Sequence, residues 1–232
     1  MPVFKPGDII SYLEMCGYEN VNLQRGMNFH LNGNISVILM SLRKGAPYLD
    51  RIEDKGATLI YEGHDISKKK NGPDPKLVDQ PMYNPGGSFT QNGLFYNAAI
   101  KYKRGKSVVE LVRVYEKIRS GIWVYLGIFN LIDAWREDSG PRTVFKFKMV
   151  IGSTVDKNHR EIADLDHNRL IPSSVKLEVW KRDKGRCVKC GSRDNLHFDH
   201  IIPFSKGGSS LVADNIQLLC ARHNLEKKDK IE

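Results

Sequence analysis

The sequence reads CVKCGSRDNLHFDHIIPFSKGGSSLVADNIQLLCARHN over residues 187–224. Two pairs of soft-ligand residues bracket this stretch, Cys187 with Cys190 and Cys220 with His223. A tight turn between two such residues points both side chains at one ion, and two turns of this kind build a tetrahedral zinc site. We therefore predict that these four residues hold a structural Zn²⁺ and that the segment between them folds around it.

Between the two pairs, a carboxylate and an imidazole stand side by side in an otherwise apolar stretch, Asp199 and His200 in LHFDHIIPFSKGG. The longer pattern WKRDKGRCVKCGS, followed by LHFDHIIPFSKGGSSLVADNIQLLCARHN, resembles an HNH endonuclease domain over residues 171–229. Domains of this family are ββα-metal nucleases, in which a hairpin and a helix hold one catalytic metal ion. The resemblance implies a small zinc-stabilised nuclease domain at the end of this chain.

The HNH resemblance also implies roles for four residues. His200 matches the general base, Asp199 a ligand of the catalytic divalent ion (Mg²⁺, Mn²⁺ or similar), and Asn215 the asparagine that steadies the catalytic loop. The third motif position is usually a histidine, but this chain has Asn224 there, an H-N-N form in which Asn224 shares the catalytic ion. A neutral imidazole can take a proton from water near pH 7, and a divalent ion held by oxygen ligands polarises a phosphate.

A different register would make His223 the catalytic ligand. Zinc would then have three cysteines and no fourth ligand nearby, so we prefer His223 on zinc and Asn224 in the catalytic site. His197 is two residues before Asp199 and is expected to pack or to assist. Lysine and arginine side chains near the motif, at Lys206, Arg222, Lys227 and Lys228, are candidate phosphate contacts or ordinary surface charge.

The composition favours a nucleic-acid partner. Lys and Arg number 36 against 27 Asp and Glu in 232 residues, a net charge of +9. Such an excess attracts polyanions through phosphate contacts and counterion release. The N-terminus lacks the pattern of a signal peptide, and Asn130 and Asp133 interrupt the most apolar run. Three of the four cysteines cluster near the C-terminus, which suggests metal binding in a reducing compartment, so we expect a soluble cytoplasmic protein with no membrane partner.

The N-terminal part has the alternation of β-strands. In RTVFKFKMV, Phe145, Phe147 and Met149 share one face and two lysines share the other. Five or more runs of this kind, without long amphipathic helices, predict a barrel or a curved sheet. Residues 63–93 are rich in Pro, Gly and Asn and predict a long functional loop.

The chain divides into two predicted domains. Residues 153–170 are polar and aperiodic, as in a linker, between an N-terminal domain at residues 1–152 and a nuclease domain at residues 171–232. The segment IPSSVKLEVWKRDKG predicts a short helix, capped by its serine pair and ended by Gly185. The fold class expected for the whole chain is α+β.

The N-terminal part resembles an SRA (SET- and RING-associated, or YDG) domain. The resemblance is carried by NGNISVILMSLRKGAPYLDRIEDKGATLIYEGHD, then VDQ, then NGLFYNAAIKYKRGKSVVELVRVYEKIRSGIWVYLGIFNLIDAW. SRA domains are curved β-barrels that flip a modified cytosine out of DNA and hold it between aromatic rings. By position, Tyr48 and Tyr61 match the stacking rings and Asp50 the carboxylate that reads the base edge, with Glu53 and Asp54 as further candidates. The alternative is a purely structural role, in which both tyrosines are ordinary half-buried residues of a sheet.

Together, the two resemblances imply a modification-dependent restriction endonuclease acting on double-stranded DNA that contains 5-methylcytosine or 5-hydroxymethylcytosine. One HNH site cuts one strand per engagement, so a double-strand break implies a homodimer. Two alternatives stay open. The chain can be an HNH endonuclease of unmodified DNA, or a zinc-containing DNA-binding protein without catalysis.

Overall fold

A computed structural model describes residues 4–33, 35–43, 45–54, 58–152, 171–228 and 230–231. The N-terminal elements are β1 (Ile9–Ser11), α1 (Tyr12–Glu19), β2 (Met27–Asn28), β3 (Ser36–Met40), β4 (Arg51–Glu53), β5 (Thr58–Glu62), α2 (Gln91–Lys103), β6 (Glu110–Arg119), β7 (Ile122–Ser139) and β8 (Arg142–Ile151). The C-terminal elements are α3 (Ser173–Arg182), β9 (Leu196–His200), β10 (Ile216–Cys220) and α4 (Ala221–Lys227). The predicted linker at residues 153–170 lies outside the described residues.

The N-terminal strands form one curved sheet. Its strand order is β2-β3-β6-β7-β8-β5-β4, with β1 paired to β7, and of these pairs only β3 with β6 is parallel. The 18-residue β7 organises the sheet, because its first part pairs with β1 and β6 and its second part with β8. Irregular register between Leu131 and Asp133 interrupts this ladder, and such irregularities bend a strand. The predicted α+β class and sheet-rich N-terminal region are confirmed.

The alternation read from β8 is confirmed, but its polar face is buried as well. Phe145, Phe147 and Met149 are fully buried in the core. On the other face, Lys146 is 1% exposed, and its Nζ lies 2.9 Å from Glu62 Oε2. The Leu49 carbonyl accepts a second hydrogen bond from this Nζ, at 3.1 Å, so the lysine has protein partners in place of water.

Among the described residues, two α-helices lie in the N-terminal part, α1 and α2, and periodicity did not predict them. Thr90 caps α2, its Oγ1 accepting the backbone N–H of Gly93, and the helix packs on β7. Between β5 and α2 the chain is irregular apart from a 3₁₀ turn at Pro75–Leu77 and a β-bridge between Tyr83 and Phe89, as predicted for the long loop. None of the helices in the described ranges combines the length and apolar character needed to cross a bilayer.

The predicted helix after the linker is present as α3, but its serines do not cap it. The N-cap is Pro172, and Ser173 Oγ instead donates a hydrogen bond to Glu116 on β6. Lys176 Nζ also contacts this Glu116 carboxylate, which is fully buried. Tertiary packing against the sheet therefore determines what this serine does.

The C-terminal elements form a ββα unit. Strands β9 and β10 pair antiparallel, with His200 opposite Ile216 and Leu196 opposite Cys220, and α4 follows directly. The unit packs against the sheet: His197 Nδ1 lies 2.6 Å from Asp8 Oδ1, next to β1. The strand that carries Asp199 and His200 is thus anchored to the N-terminal sheet.

Candidate functional site

Four soft-ligand side chains converge at the end of the hairpin. The ligand atoms of Cys187, Cys190, Cys220 and His223 all lie within 4.8 Å of one another. The Cys190 and Cys220 sulfurs are 3.8 Å apart, and His223 Nδ1 is 3.4 Å and 3.3 Å from the sulfurs of Cys187 and Cys220. A tetrahedral zinc ion separates its ligands by about 3.8 Å for two sulfurs and about 3.6 Å for sulfur and nitrogen. The set is therefore able to bind zinc.

Groups around the cluster favour the Cys187 thiolate and a His223 ring whose Nδ1 faces the sulfurs, and both are what a metal ion requires. Burial alone raises the pKa of the Cys187 thiol, but backbone N–H groups of Cys220 and Cys190 stabilise the thiolate and lower that pKa to about 6. His223 turns Nδ1 toward the sulfurs, while its Nε2 lies 3.9 Å from Glu226 Oε2. The nearer partner of this nitrogen is Arg222 Nη2, at 3.1 Å. The structure thus brings His223 to the cysteines, as the preferred register requires.

Asp199 and His200 end β9 and share a buried lysine. Lys227 of α4 is 2% exposed, and its Nζ lies 3.0 Å from Asp199 Oδ2 and donates to the His200 carbonyl at 2.6 Å. Gln217 Nε2 also approaches Asp199 Oδ2, at 3.4 Å. On the imidazole, His200 Nε2 is 2.8 Å from the hydroxyl of buried Ser210. The carboxylate and the imidazole are therefore both held by residues outside their own strand.

Asn215 holds the loop that follows the Asp-His pair. Its Oδ1 accepts the backbone N–H of Ile202 at 2.8 Å, and its Nδ2 donates to the carbonyls of Ile202 and Ser209, both at 3.0 Å. Gly208 makes this packing possible, because a Cβ there would lie 1.7 Å from the Ile202 carbonyl oxygen. These hydrogen bonds are compatible with the loop-steadying role that the HNH resemblance implies for Asn215, and that role stays a prediction.

Asn224 is placed by the helix. It lies three residues before Lys227 on α4, and residues at this spacing share one helix face. Since Lys227 contacts both Asp199 and the His200 carbonyl, that face of α4 is turned toward β9. The amide of Asn224 and the carboxylate of Asp199 provide oxygen ligands, the type that Mg²⁺ and Mn²⁺ prefer.

The residues proposed to read a base surround a histidine. The Tyr48 ring stacks on His64, with centroids 5.1 Å apart and an interplanar angle of 12°. Tyr61 is 1% exposed, and its hydroxyl lies 2.9 Å from His64 Nε2. His64 thus contacts both tyrosines, although no motif in the sequence singled it out.

Asp50 braces the backbone beside these rings. Its Oδ1 accepts the N–H of Glu62 at 2.9 Å and its Oδ2 that of Ser41 at 3.3 Å. Burial raises the pKa of this carboxyl to about 7, although the two backbone hydrogen bonds lower it. The two further candidates have other partners: Glu53 accepts from Arg51 at 2.7 Å, and Asp54 from Thr58 at 2.7 Å.

Comparison with protein families identifies the C-terminal unit. Residues 187–230 match the HNH endonuclease family. The chain therefore contains an HNH domain, and the match confirms the predicted metal-dependent DNA endonuclease. No curated protein sequence matches the chain.

Solved structures that resemble this chain include SRA domains and restriction endonucleases. The SUVH5 SRA domain in complex with hemimethylated CG DNA is 24% identical, over 70% of this chain and 95% of that chain, with a TM-score of 0.44. The modification-dependent restriction endonuclease TagI is 19% identical, over 97% and 78% of the two chains, with a TM-score of 0.40. The type IV phosphorothioation-dependent restriction endonuclease ScoMcrA is 15% identical, over 99% and 56%, with a TM-score of 0.44.

Two residues of the HNH domain have roles that the sequence did not reveal. The sequence grouped Lys227 with Lys228 as phosphate contacts or surface charge, and for Lys227 this is wrong, because it is buried against Asp199 and His200. Its spacing of three from Asn224 was the available signal. Ser210 gave no such signal, since a serine in a Gly-Ser loop is typical of exposed turns.

Proposed function

We propose that this protein is a modification-dependent DNA endonuclease that restricts DNA containing 5-methylcytosine or 5-hydroxymethylcytosine in a bacterial cytoplasm. Residues 1–152 would read the modified base and residues 171–232 would cut, joined by the linker at 153–170. The observation that carries the nuclease part is the Asp199–His200 pair, held between a Cys₃His cluster and a buried lysine within the HNH domain.

In the proposed reaction, Asp199 and Asn224 would hold a divalent ion, and His200 would take the proton of the attacking water. The ion, when bound, polarises the scissile phosphate and stabilises the leaving oxygen. Ser210 orients the base: when its hydroxyl accepts the Nε2–H of His200, the ring lone pair lies on Nδ1, which is then the atom that receives the proton. Asn215 keeps the following loop in place through three hydrogen bonds.

The Cys₃His cluster would serve structure and not catalysis. Its four ligands join the turn before β9 to the start of α4, the two segments on either side of the catalytic pair. A zinc ion there would link them without offering an open coordination position, as in structural zinc sites. In a domain of this size, the metal would add to the stability that a small hydrophobic core supplies.

For base reading, we propose that Tyr48 and Tyr61 form the walls of a pocket for a flipped cytosine and that Asp50 lies at its edge. Support comes from their convergence around His64, at the start of the long loop and where the sequence resemblance locates the pocket. The net charge of +9 favours DNA as the polymer that presents the base. One catalytic site cuts one strand, so we further propose a homodimer for double-strand cleavage.

Cleavage of one plasmid prepared with and without 5-methylcytosine tests the reading part. We expect cutting, in the presence of Mg²⁺ or Mn²⁺, of the methylated copy and much less of the unmethylated one. Equal cutting would show that the protein is a nuclease of unmodified DNA. A third copy with 5-hydroxymethylcytosine defines which modification is accepted.

The variant His200→Ala tests the nuclease part. Loss of a general base typically costs a factor of 10² to 10⁴ in rate, so we expect cutting to fall by about that factor. His30→Ala is the matched control, because His30 is a half-exposed histidine paired with Glu110 in the N-terminal part. Cutting that survives His200→Ala would refute the assignment, and wild-type protein that binds DNA without cutting would point to a non-catalytic DNA-binding protein.

A further inference from the structure

We propose that His64 closes the base pocket of the free protein and must swing aside before a flipped base can enter. The inference rests on the proposed base-reading function, because it assigns a gate to that same pocket. It is carried by the contacts of one side chain, which lies against both proposed walls.

The imidazole occupies the stacking position beside Tyr48. Its centroid is 5.1 Å from that of Tyr48, at an interplanar angle of 12°, and 6.1 Å from that of Tyr61. Aromatic partners stack with centroids about 4.5–7 Å apart, so a cytosine ring on the same face of Tyr48 would need this volume. The ring and the base therefore exclude each other.

The slot, which is the space that the His64 imidazole fills beside Tyr48, is closed on its inner side. The ring therefore cannot move deeper into the protein. A Cβ on Gly26 would lie 2.7 Å from His64 Nε2 and 3.0 Å from the Tyr61 hydroxyl, so the space between these groups and Gly26 is too small for even a methyl group. Tyr61 itself is fixed in the sheet, where it pairs with Phe147. Displacement of the imidazole must therefore proceed outward, past Tyr48.

The backbone of His64 is held, while its side chain can rotate. Asn92, near the start of α2, accepts the His64 N–H at 2.8 Å and donates to the His64 carbonyl at 2.8 Å. These two bonds keep the Cα in place, so rotation about χ1 is the simplest way to empty the slot. Burial lowers the pKa of His64 to about 4, so the imidazole is neutral in the closed position. A neutral ring is then replaced by a neutral base, with no charge to be moved into or out of the slot.

Equilibrium binding to DNA tests this gate, with every protein carrying His200→Ala so that the DNA stays intact. Duplexes with one 5-methylcytosine or one cytosine at the same position are compared by fluorescence anisotropy. His64→Ala empties the slot and removes a stacked pair, so we expect the methylated duplex to bind about 2- to 12-fold tighter than it binds to the protein with His64. His64→Phe keeps a ring in the slot, and we expect it to bind no tighter.

A third variant and the cytosine duplex distinguish failure of the gate from failure of base reading. His64→Asn vacates most of the slot while retaining a partner for the Tyr61 hydroxyl, and it replaces the alanine variant if that one melts at a lower temperature. If the small variants bind the methylated duplex no tighter than the protein with His64 does, but still prefer it to the cytosine duplex, the gate is overturned and base reading stands. If the protein with His64 binds both duplexes equally, base reading itself is refuted, and the gate with it.

Discussion

The buried ammonium of Lys227 should be a main source of stability for the HNH domain, and Lys227→Met tests this. The side chain is 2% exposed, and its Nζ contacts the Asp199 carboxylate at 3.0 Å and the His200 carbonyl at 2.6 Å. Methionine retains the apolar stem but removes both contacts. The variant therefore leaves the Asp199 carboxylate without this cation and the His200 carbonyl without this hydrogen-bond donor.

The expected loss follows from the two contacts. Removing one partner of a buried ion pair typically costs about 3–5 kcal/mol, because the other charge stays in a poorly solvated site. Domains of ordinary size have unfolding free energies of about 5–15 kcal/mol, so the loss is a large share of what a small unit has. The adjacent Lys228 is exposed and offers a matched control, since Lys228→Met makes the same chemical change, for which about 0.5 kcal/mol or less is expected.

Hydrogen exchange measured by mass spectrometry reports this region separately from the sheet. With zinc present, we expect amide protection in β9 and β10 to fall by a factor of about 150 to 5,000 in Lys227→Met, the equivalent of 3–5 kcal/mol. Peptides from β7 and β8 should be unchanged. If protection in β9 and β10 is the same in Lys227→Met as in Lys228→Met, the buried ammonium does not stabilise this site and the reasoning fails.

Three further predictions concern the base, the zinc cluster and the pocket carboxyl. Ser210→Ala should slow single-turnover cleavage by about tenfold without changing DNA affinity, because the hydroxyl 2.8 Å from His200 Nε2 orients the ring; an unchanged rate would mean that other contacts are sufficient. Removing zinc with a chelator should abolish the calorimetric transition of the HNH domain and spare that of the sheet, because zinc binding supplies about 10–16 kcal/mol in comparable sites; a thermogram that does not change would contradict this. Burial raises the Asp50 pKa from 3.8 to about 7, so the folded state binds this proton more tightly than the unfolded state. The stability that the protonated group contributes is therefore complete below about pH 4 and is lost as the pH rises through 7, on the order of 4 kcal/mol. In urea unfolding, the free energy of unfolding of Asp50→Asn minus that of wild type should be larger at pH 8 than at pH 4. The same difference at both pH values would refute the raised pKa.

Local patterns were the part of the fold that could be predicted. The alternation in β8 identified its core face, because a strand alternates sides whatever it packs against. Periodicity alone did not predict helix α2, because its burial depends on the sheet and its sequence has no strong apolar stripe; only the SRA resemblance implied a helix start there. Ser173 was expected to cap α3 and bonds to Glu116 instead, a residue that packing brings from far along the chain.

The same division holds for the site and for the protein as a whole. The spacing of Cys187, Cys190, Cys220 and His223 was enough to predict a zinc site, because two short turns can build it from local geometry alone. Tertiary structure alone decided that Lys227 is buried beside Asp199 and that His64 fills the space next to Tyr48. These contacts join residues that are distant in sequence or that lie on different elements. Their energies come from burial and from the exclusion of water, which exist only after the sheet, the loop and the hairpin have packed together.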